Sequence, residues 1–139
     1  MLEPKSLSLA FDTNIWISFS IGKRMDKLKL IFLDHRFGIF ICPEIIEEYI
    51  RIAHSDKLAK YISLQRIKDT LDIIETFTKS IKVKTVKSIS RDPNDDFLLA
   101  FSEENKLDFL ITGDKDLLVI KQYYSTRILT FGEFISEMY

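Results

Sequence analysis

Asp92, Asn94, Asp95 and Asp96 crowd into the stretch RDPNDDFLLAF (91–101), directly before a run of apolar residues. Two explanations compete for so much polar charge against a hydrophobic segment: helix capping, or a bound cation. Asp92 suits an N-cap, Pro93 the first helical position, and Asp95 the third, where an acid can complete a capping box and favours the helix dipole. Capping accounts fully for Asp92. It accounts less well for Asp95, because Leu98 and Leu99 follow at helical spacing and share its side. An acid on an apolar stripe is normally paired or coordinated. Asp96 lies one position round and is expected to face solvent.

Other acids stand at comparable places. Asp12 closes the apolar run SLSLAFD (6–12), and Asp114 and Asp116 follow DFLIT (108–112). In CPEIIEEYIRI (42–52), Glu48 sits on the margin of the apolar face, between Ile45 and Ile52. Glu44, Glu47 and Arg51 read as one solvated stripe with a Glu47–Arg51 ion pair. Singly, each acid has a structural explanation; a helix cap contributes about 1 kcal/mol. Together, Asp12, Glu48, Asp95, Asp114 and Asp116 could converge on one pocket. Crowded carboxylates repel, and some stay protonated unless a cation neutralises them. An all-oxygen donor set points to Mg²⁺ or Mn²⁺. With only His35, His54 and Cys42 available, neither a zinc site nor a Cys–His nucleophile is expected. The chain has no GxxxxGK[ST] loop, which excludes a P-loop hydrolase.

The elements that must position these acids alternate. Strands are expected at 6–12, 37–42, 81–86, 108–112 and 127–130. Helices are expected at 13–20, 25–35, from Pro43, across 63–81, from Pro93, at 115–120 and at 131–138. This order predicts an α/β domain with a mainly parallel sheet and helices on both faces. Ligands of such sheets bind outside the carboxyl ends of the strands, near a topological switch point. Asp12 and Asp114 lie at or just beyond two such ends.

Bulk properties bound the rest. The 139 residues make one domain, 1–139, with 46% hydrophobic and 29% charged residues. Cys42, the single cysteine, lies in the apolar run FGIFICP and reads as core, which fits a reducing compartment such as the cytoplasm. No apolar stretch reaches the length of about 18 residues that a membrane span needs, and the N-terminus lacks a signal-peptide pattern. Net charge is −1, but two stretches are locally basic: GKRMDKLK (22–29) and KSIKVKTVKSISR (79–91), the second with five cations and no acid. A lysine-protected edge strand and a phosphate-contacting face are the two readings of the second.

Four blocks, taken in order, resemble the PIN-domain family of metal-dependent nucleases, most closely VapC-like toxins of type II toxin–antitoxin systems. They are FDTNIWIS, CPEIIEEYIRI, the acidic stretch beginning RDPNDD, and TGDKDLL. The resemblance implies a three-layer α/β/α sandwich with a parallel sheet of about five strands, in which 81–86 lies at an edge. It implies an Mg²⁺- or Mn²⁺-dependent endoribonuclease. Asp12, Glu48, Asp95 and Asp114 would be catalytic residues and metal ligands. Asp116 would be a further ligand, and Asn14, Asp92, Asp96 and Thr112 supports. A one-residue shift would exchange Asp95 with Asp96; helical facing favours Asp95. RNA as substrate, a cognate antitoxin and a homodimer are implied partners. Two alternatives stand beside this reading. One is a PIN-like module that binds RNA or protein without cutting. The other is a haloacid-dehalogenase-like phosphatase, which would need an acid where the chain has Asn14.

Overall fold

The computed structural model describes residues 6–22, 25–83 and 93–139, without the side chains of 25 and 93–95. Its strands are β1 (Leu7–Phe11), β2 (Phe37–Ile41), β3 (Thr78–Ser80), β4 (Phe109–Ile111), β5 (Gln122–Tyr123) and β6 (Thr126–Leu129). Its helices are α1 (Thr13–Ile21), α2 (Met25–Phe32), α3 (Pro43–Ala53), α4 (Leu64–Phe77), α5 (Pro93–Glu104), α6 (Lys115–Leu118) and α7 (Phe131–Met138).

The strands form a six-stranded sheet in the order β3-β2-β1-β4-β6-β5. All pairings are parallel except β5 with β6. Helices flank the sheet, giving the expected α/β/α sandwich. The central strands read as continuous apolar runs because both their faces are covered: Leu9, Ala10, Phe11, Leu110 and Ile111 are fully buried. From β1 the chain winds outward through β2 to β3, then returns to place β4 on the other side of β1. The switch point therefore falls between β1 and β4.

Two sequence expectations shift. The helix expected across 63–81 ends at Phe77, and the strand seen here is Thr78–Ser80, ahead of the expected 81–86. Residues 81–83 are outside any strand, and 84–86 lie outside the described residues. Among the described residues β3 pairs only with β2, with Thr78 opposite Ile39, and so stands at an edge. The polar triplet TKS carries no alternating apolar signal, so its pairing to β2 decides its state, not its own pattern. The two-residue β5 is the element the sequence left unseen.

Local signals explain how the helices begin and end. Asp12, Ser63, Asp114 and Thr130 cap α1, α4, α6 and α7, each by accepting a backbone N–H. Thr130 and Glu133 complete a reciprocal capping box. Gly22 stops α1 in the left-handed region, at φ 101°, and returns its N–H to Phe19 O at 3.0 Å. Nearly the whole surface of α1 is buried. Trp16 stacks on Phe32, and Phe32 on Phe77, tying α1, α2 and the end of α4 together.

Candidate functional site

Phe11 pairs with Ile111 across β1 and β4. The next residue on each strand is therefore a neighbour of the other: Asp12 and Thr112. Asp12 is 5% exposed and Thr112 fully buried. Asp12 Oδ1 accepts the N–H groups of Asn14 at 3.0 Å and Ile15 at 3.4 Å, capping α1. Asp12 Oδ2 accepts a short hydrogen bond from Thr112 Oγ1. Thr112 Oγ1 in turn accepts the N–H of Asp114 at 3.0 Å. One hydroxyl thus holds both acidic segments in register. Asp114 caps α6 through the N–H of Asp116 at 2.8 Å. Burial pushes the Asp12 carboxyl above its ordinary value of 3.8, the hydrogen bonds from Thr112, Ile15 and Asn14 pull it back, and the charge of Asp114 adds to the rise.

On the other side of β1 lies β2, with Ala10 opposite Phe40. That register brings Cys42 level with Asp12, so α3 begins beside it. A cavity of about 520 Å³ opens between these elements. Asp12, Asn14 and Asp114 line it from the strand ends; Glu44, Glu47, Glu48 and Arg51 from α3; Phe97 and Leu98 from α5. Five carboxylates thus face one guanidinium around a single space.

Asp12, Glu48, Asp114 and Asn14 are brought together as the sequence reading expected, with Thr112 beneath them. Asp116 is exposed and is not among the lining residues; its backbone N–H donates to Asp114 Oδ1. Asp92 and the side chain of Asp95 lie outside the described residues. Asp96 is only 6% exposed, contrary to the expected solvent-facing position. Leu98, Leu99, Ala100, Phe101 and Ser102 are also buried, and of residues 96–102 only Phe97 keeps partial exposure, so the position of Asp96 falls on a covered side of α5.

The stripe expected to be solvated behaves differently as well. Glu44 is half-buried, and its Oε2 is buried without a hydrogen-bond partner among the described residues. Glu47 and Arg51 are exposed and form no ion pair with each other. Such a pair offers only about 0.3–0.5 kcal/mol, which the entropy of two long side chains offsets. Glu44, Glu47 and Arg51 are the lining residues that helical facing alone missed. For Glu44 the signal was positional, since a first-turn side chain after a strand next to the switch point can reach the site; Glu47 and Arg51 follow it one and two turns further along the same stripe of α3. Cys42 is core, as expected, and burial together with the nearby Glu44 charge pushes its thiol up to about 12, which removes it as a nucleophile.

These residues fit a hard divalent cation in kind. The donors are carboxylate oxygens, one of them an orphaned buried oxygen of Glu44, and the charge around Asp12 needs compensation. Among the described residues, no three Asp, Glu, His or Cys side chains approach closely enough to enclose a bare ion.

The sequence matches the PIN domain pattern over residues 8–116, from β1 to Asp116. The chain belongs to the PIN-domain family. No curated protein sequence matches this PIN domain. Among solved structures it is similar to VapBC2 from Rickettsia felis bound to a DNA fragment from their promoter, with a TM-score of 0.59, 15% identity, and coverage of 90% of this chain and 99% of that one. It is also similar to PAE2754 from Pyrobaculum aerophilum, with a TM-score of 0.57, 14% identity, and coverage of 94% and 88%. At such identities the likeness is one of fold.

Proposed function

We propose that this PIN domain is an Mg²⁺- or Mn²⁺-dependent endoribonuclease. The observation that carries the reading is the acidic cavity at the switch point, where Asp12, Glu48 and Asp114 share one space with Glu44. Asp12, Glu48, Asp95 and Asp114 are the proposed metal-holding and catalytic residues, with Asp116, Asp92 and Asp96 as outer acids. Bound there, the divalent ion supplies charge neutralisation at the scissile phosphate and acidifies a water.

The chain's own residues do the rest. The hydrogen bond from Thr112 fixes the Asp12 carboxylate in one orientation and, through the Asp114 N–H, sets the spacing of the second acid. The same bonds favour the ionised form of Asp12, which is the form a cation requires. Asn14 is exposed on the cavity wall, where its side-chain amide can hold a water or a phosphate oxygen. Phe97 and Leu98 line the cavity from α5 as its apolar side.

The similarity to VapBC2 supports a further step: a toxin acting on RNA in the cytoplasm and held in check by an antitoxin partner. The free thiol of Cys42 fits a reducing compartment, and among the described residues no helix is long and apolar enough to cross a membrane. The test is cleavage of a structured-RNA panel in Mn²⁺, in Mg²⁺ and in chelator, beside Asp12→Asn. Wild type should cut only with metal, and the variant should lose at least about a hundredfold. Undiminished cutting by Asp12→Asn would remove Asp12 from the mechanism. Cutting in chelator would remove the metal.

A further inference from the structure

Phe97 is an anomaly among the aromatic residues. It is half-buried, yet unlike Phe32, Phe37 and Phe40 it is not among the apolar side chains packed against the core. Among the described residues no aromatic ring or cation stacks on it, whereas Phe11, Phe19, Phe32, Phe37, Phe77, Phe109 and Phe134 all have ring partners. Its assigned surroundings are the cavity, which it lines from α5. Arg51, lining the same cavity from α3, is exposed and has no ion pair among the described residues, although carboxylates surround it. One unpartnered aromatic ring and one unpartnered guanidinium thus share a polar space of about 520 Å³. That volume falls within the range of roughly 300–1,000 Å³ typical of small-molecule sites, far more than a hydrated ion needs.

We infer that Phe97 stacks on one unpaired base of the RNA while Arg51 holds a neighbouring phosphate, so that this pair selects a splayed-out, single-stranded nucleotide at the cleavage site. A nucleotide is the ligand whose parts match: a flat π-face for the ring and a phosphate for the bidentate guanidinium. A base locked in a helix has no free face to offer, so the ring discriminates against paired RNA. The inference rests on the nuclease reading for its substrate, and the experiment separates the two.

The probe is an uncleavable, ribose-methylated single-stranded oligonucleotide carrying the fluorescent adenine analogue aminopurine at successive positions, titrated in Mn²⁺. At one position, wild type and Phe97→Tyr should quench the fluorophore. Phe97→Leu should lose that quenching and bind about tenfold more weakly. An abasic residue at that position should cost wild type the same factor and cost Phe97→Leu nothing further. Arg51→Gln should weaken intact and abasic probes equally. Equal quenching and equal affinity for wild type and Phe97→Leu would overturn the stack, as would an equal abasic penalty in both. If Phe97→Leu does not fold by circular dichroism, wild type and Phe97→Tyr decide: absence of a quenched position, or of an abasic penalty, overturns it. Wild-type cleavage of ordinary RNA is run alongside. Cutting without any Phe97 effect sinks the stack and leaves the nuclease. Stacking without cutting sinks the nuclease and leaves the stack. Neither binding nor cutting sinks both.

Discussion

Two aspartates show how one residue type is driven in opposite directions by its surroundings. Burial pushes the Asp12 carboxyl up. Its protonated form is favoured in the fold, so its contribution to stability is present below 3.8 and lost as pH rises through the folded value. At neutral pH the buried charge is therefore a cost, and Asn keeps the oxygen that caps α1. Asp12→Asn should match or exceed wild type in thermal stability in chelator at neutral pH, and the gap should close toward acid. A fall of more than about 4 °C would mean that the carboxylate is structural. Mn²⁺ should reverse the order, stabilising wild type by about 2.7 kcal/mol at a hundredfold excess over Kd and the variant far less. Asp34 is the converse. The Arg36 guanidinium holds its carboxyl well below the ordinary range, and Tyr139 donates to it at 2.7 Å. Its contribution is full above 3.8 and is lost as pH falls through the folded value. The melting difference between wild type and Asp34→Asn should shrink as pH falls below 3.8; a constant difference would exclude the charge as its source. At this scale the sequence made Asp12, Glu48 and Asp114 legible, because each stands at a strand end or on a helix margin. Glu44, Glu47 and Arg51 were hidden, because a helical wheel ranks faces by hydrophobicity without knowing that the polar stripe of α3 borders a cavity.

Helices α1, α3 and α4 are joined by a buried chain of hydroxyls. Thr70 Oγ1 donates to Arg66 O at 2.9 Å, so it must accept from Ser20 Oγ at 2.8 Å. Ser20 has then used its proton and accepts a short bond from the Tyr49 hydroxyl. Arg66 Nε closes the loop onto Ser20 O at 2.9 Å. Tyr49 follows Glu48 directly, so this chain also fixes how α3 presents its acids. Tyr49→Phe should cost about 1–2 kcal/mol in urea unfolding, with an unchanged slope. A loss of less than about 0.5 kcal/mol would mean that the hydroxyls are independent. None of this was readable in advance, since Ser20 and Thr70 look like ordinary interruptions of apolar helical patterns. Strand boundaries failed for a related reason. The strands β1, β2 and β4 announce themselves as apolar runs because both faces are buried, while β3 is a polar edge segment that only its neighbour defines.

For the whole molecule the question is how a chain of net charge −1, with five carboxylates around its cavity, would hold the polyanion proposed as its substrate. The carboxylates oppose RNA, and a divalent cation held there, as proposed, would offset part of that field locally. Affinity for an uncleavable single-stranded RNA should therefore rise as Mn²⁺ is titrated at constant ionic strength, and Asp12→Asn should blunt the rise. Salt dependence then locates the remaining cations. If Arg51 is the one phosphate contact, the log–log slope of affinity against monovalent salt should be about −0.7. If the basic stretch at 79–91 also lies on the RNA, its five cations should bring the slope to about −4. Lys79 is exposed on the edge strand β3, and Lys82 just beyond it is exposed too. Lysines there shield an open edge from pairing with another chain whether or not they touch RNA. A shallow slope would leave them that role alone. A steep slope that Lys79→Gln and Lys82→Gln together reduce by about 1.4 would make the same edge part of the substrate path.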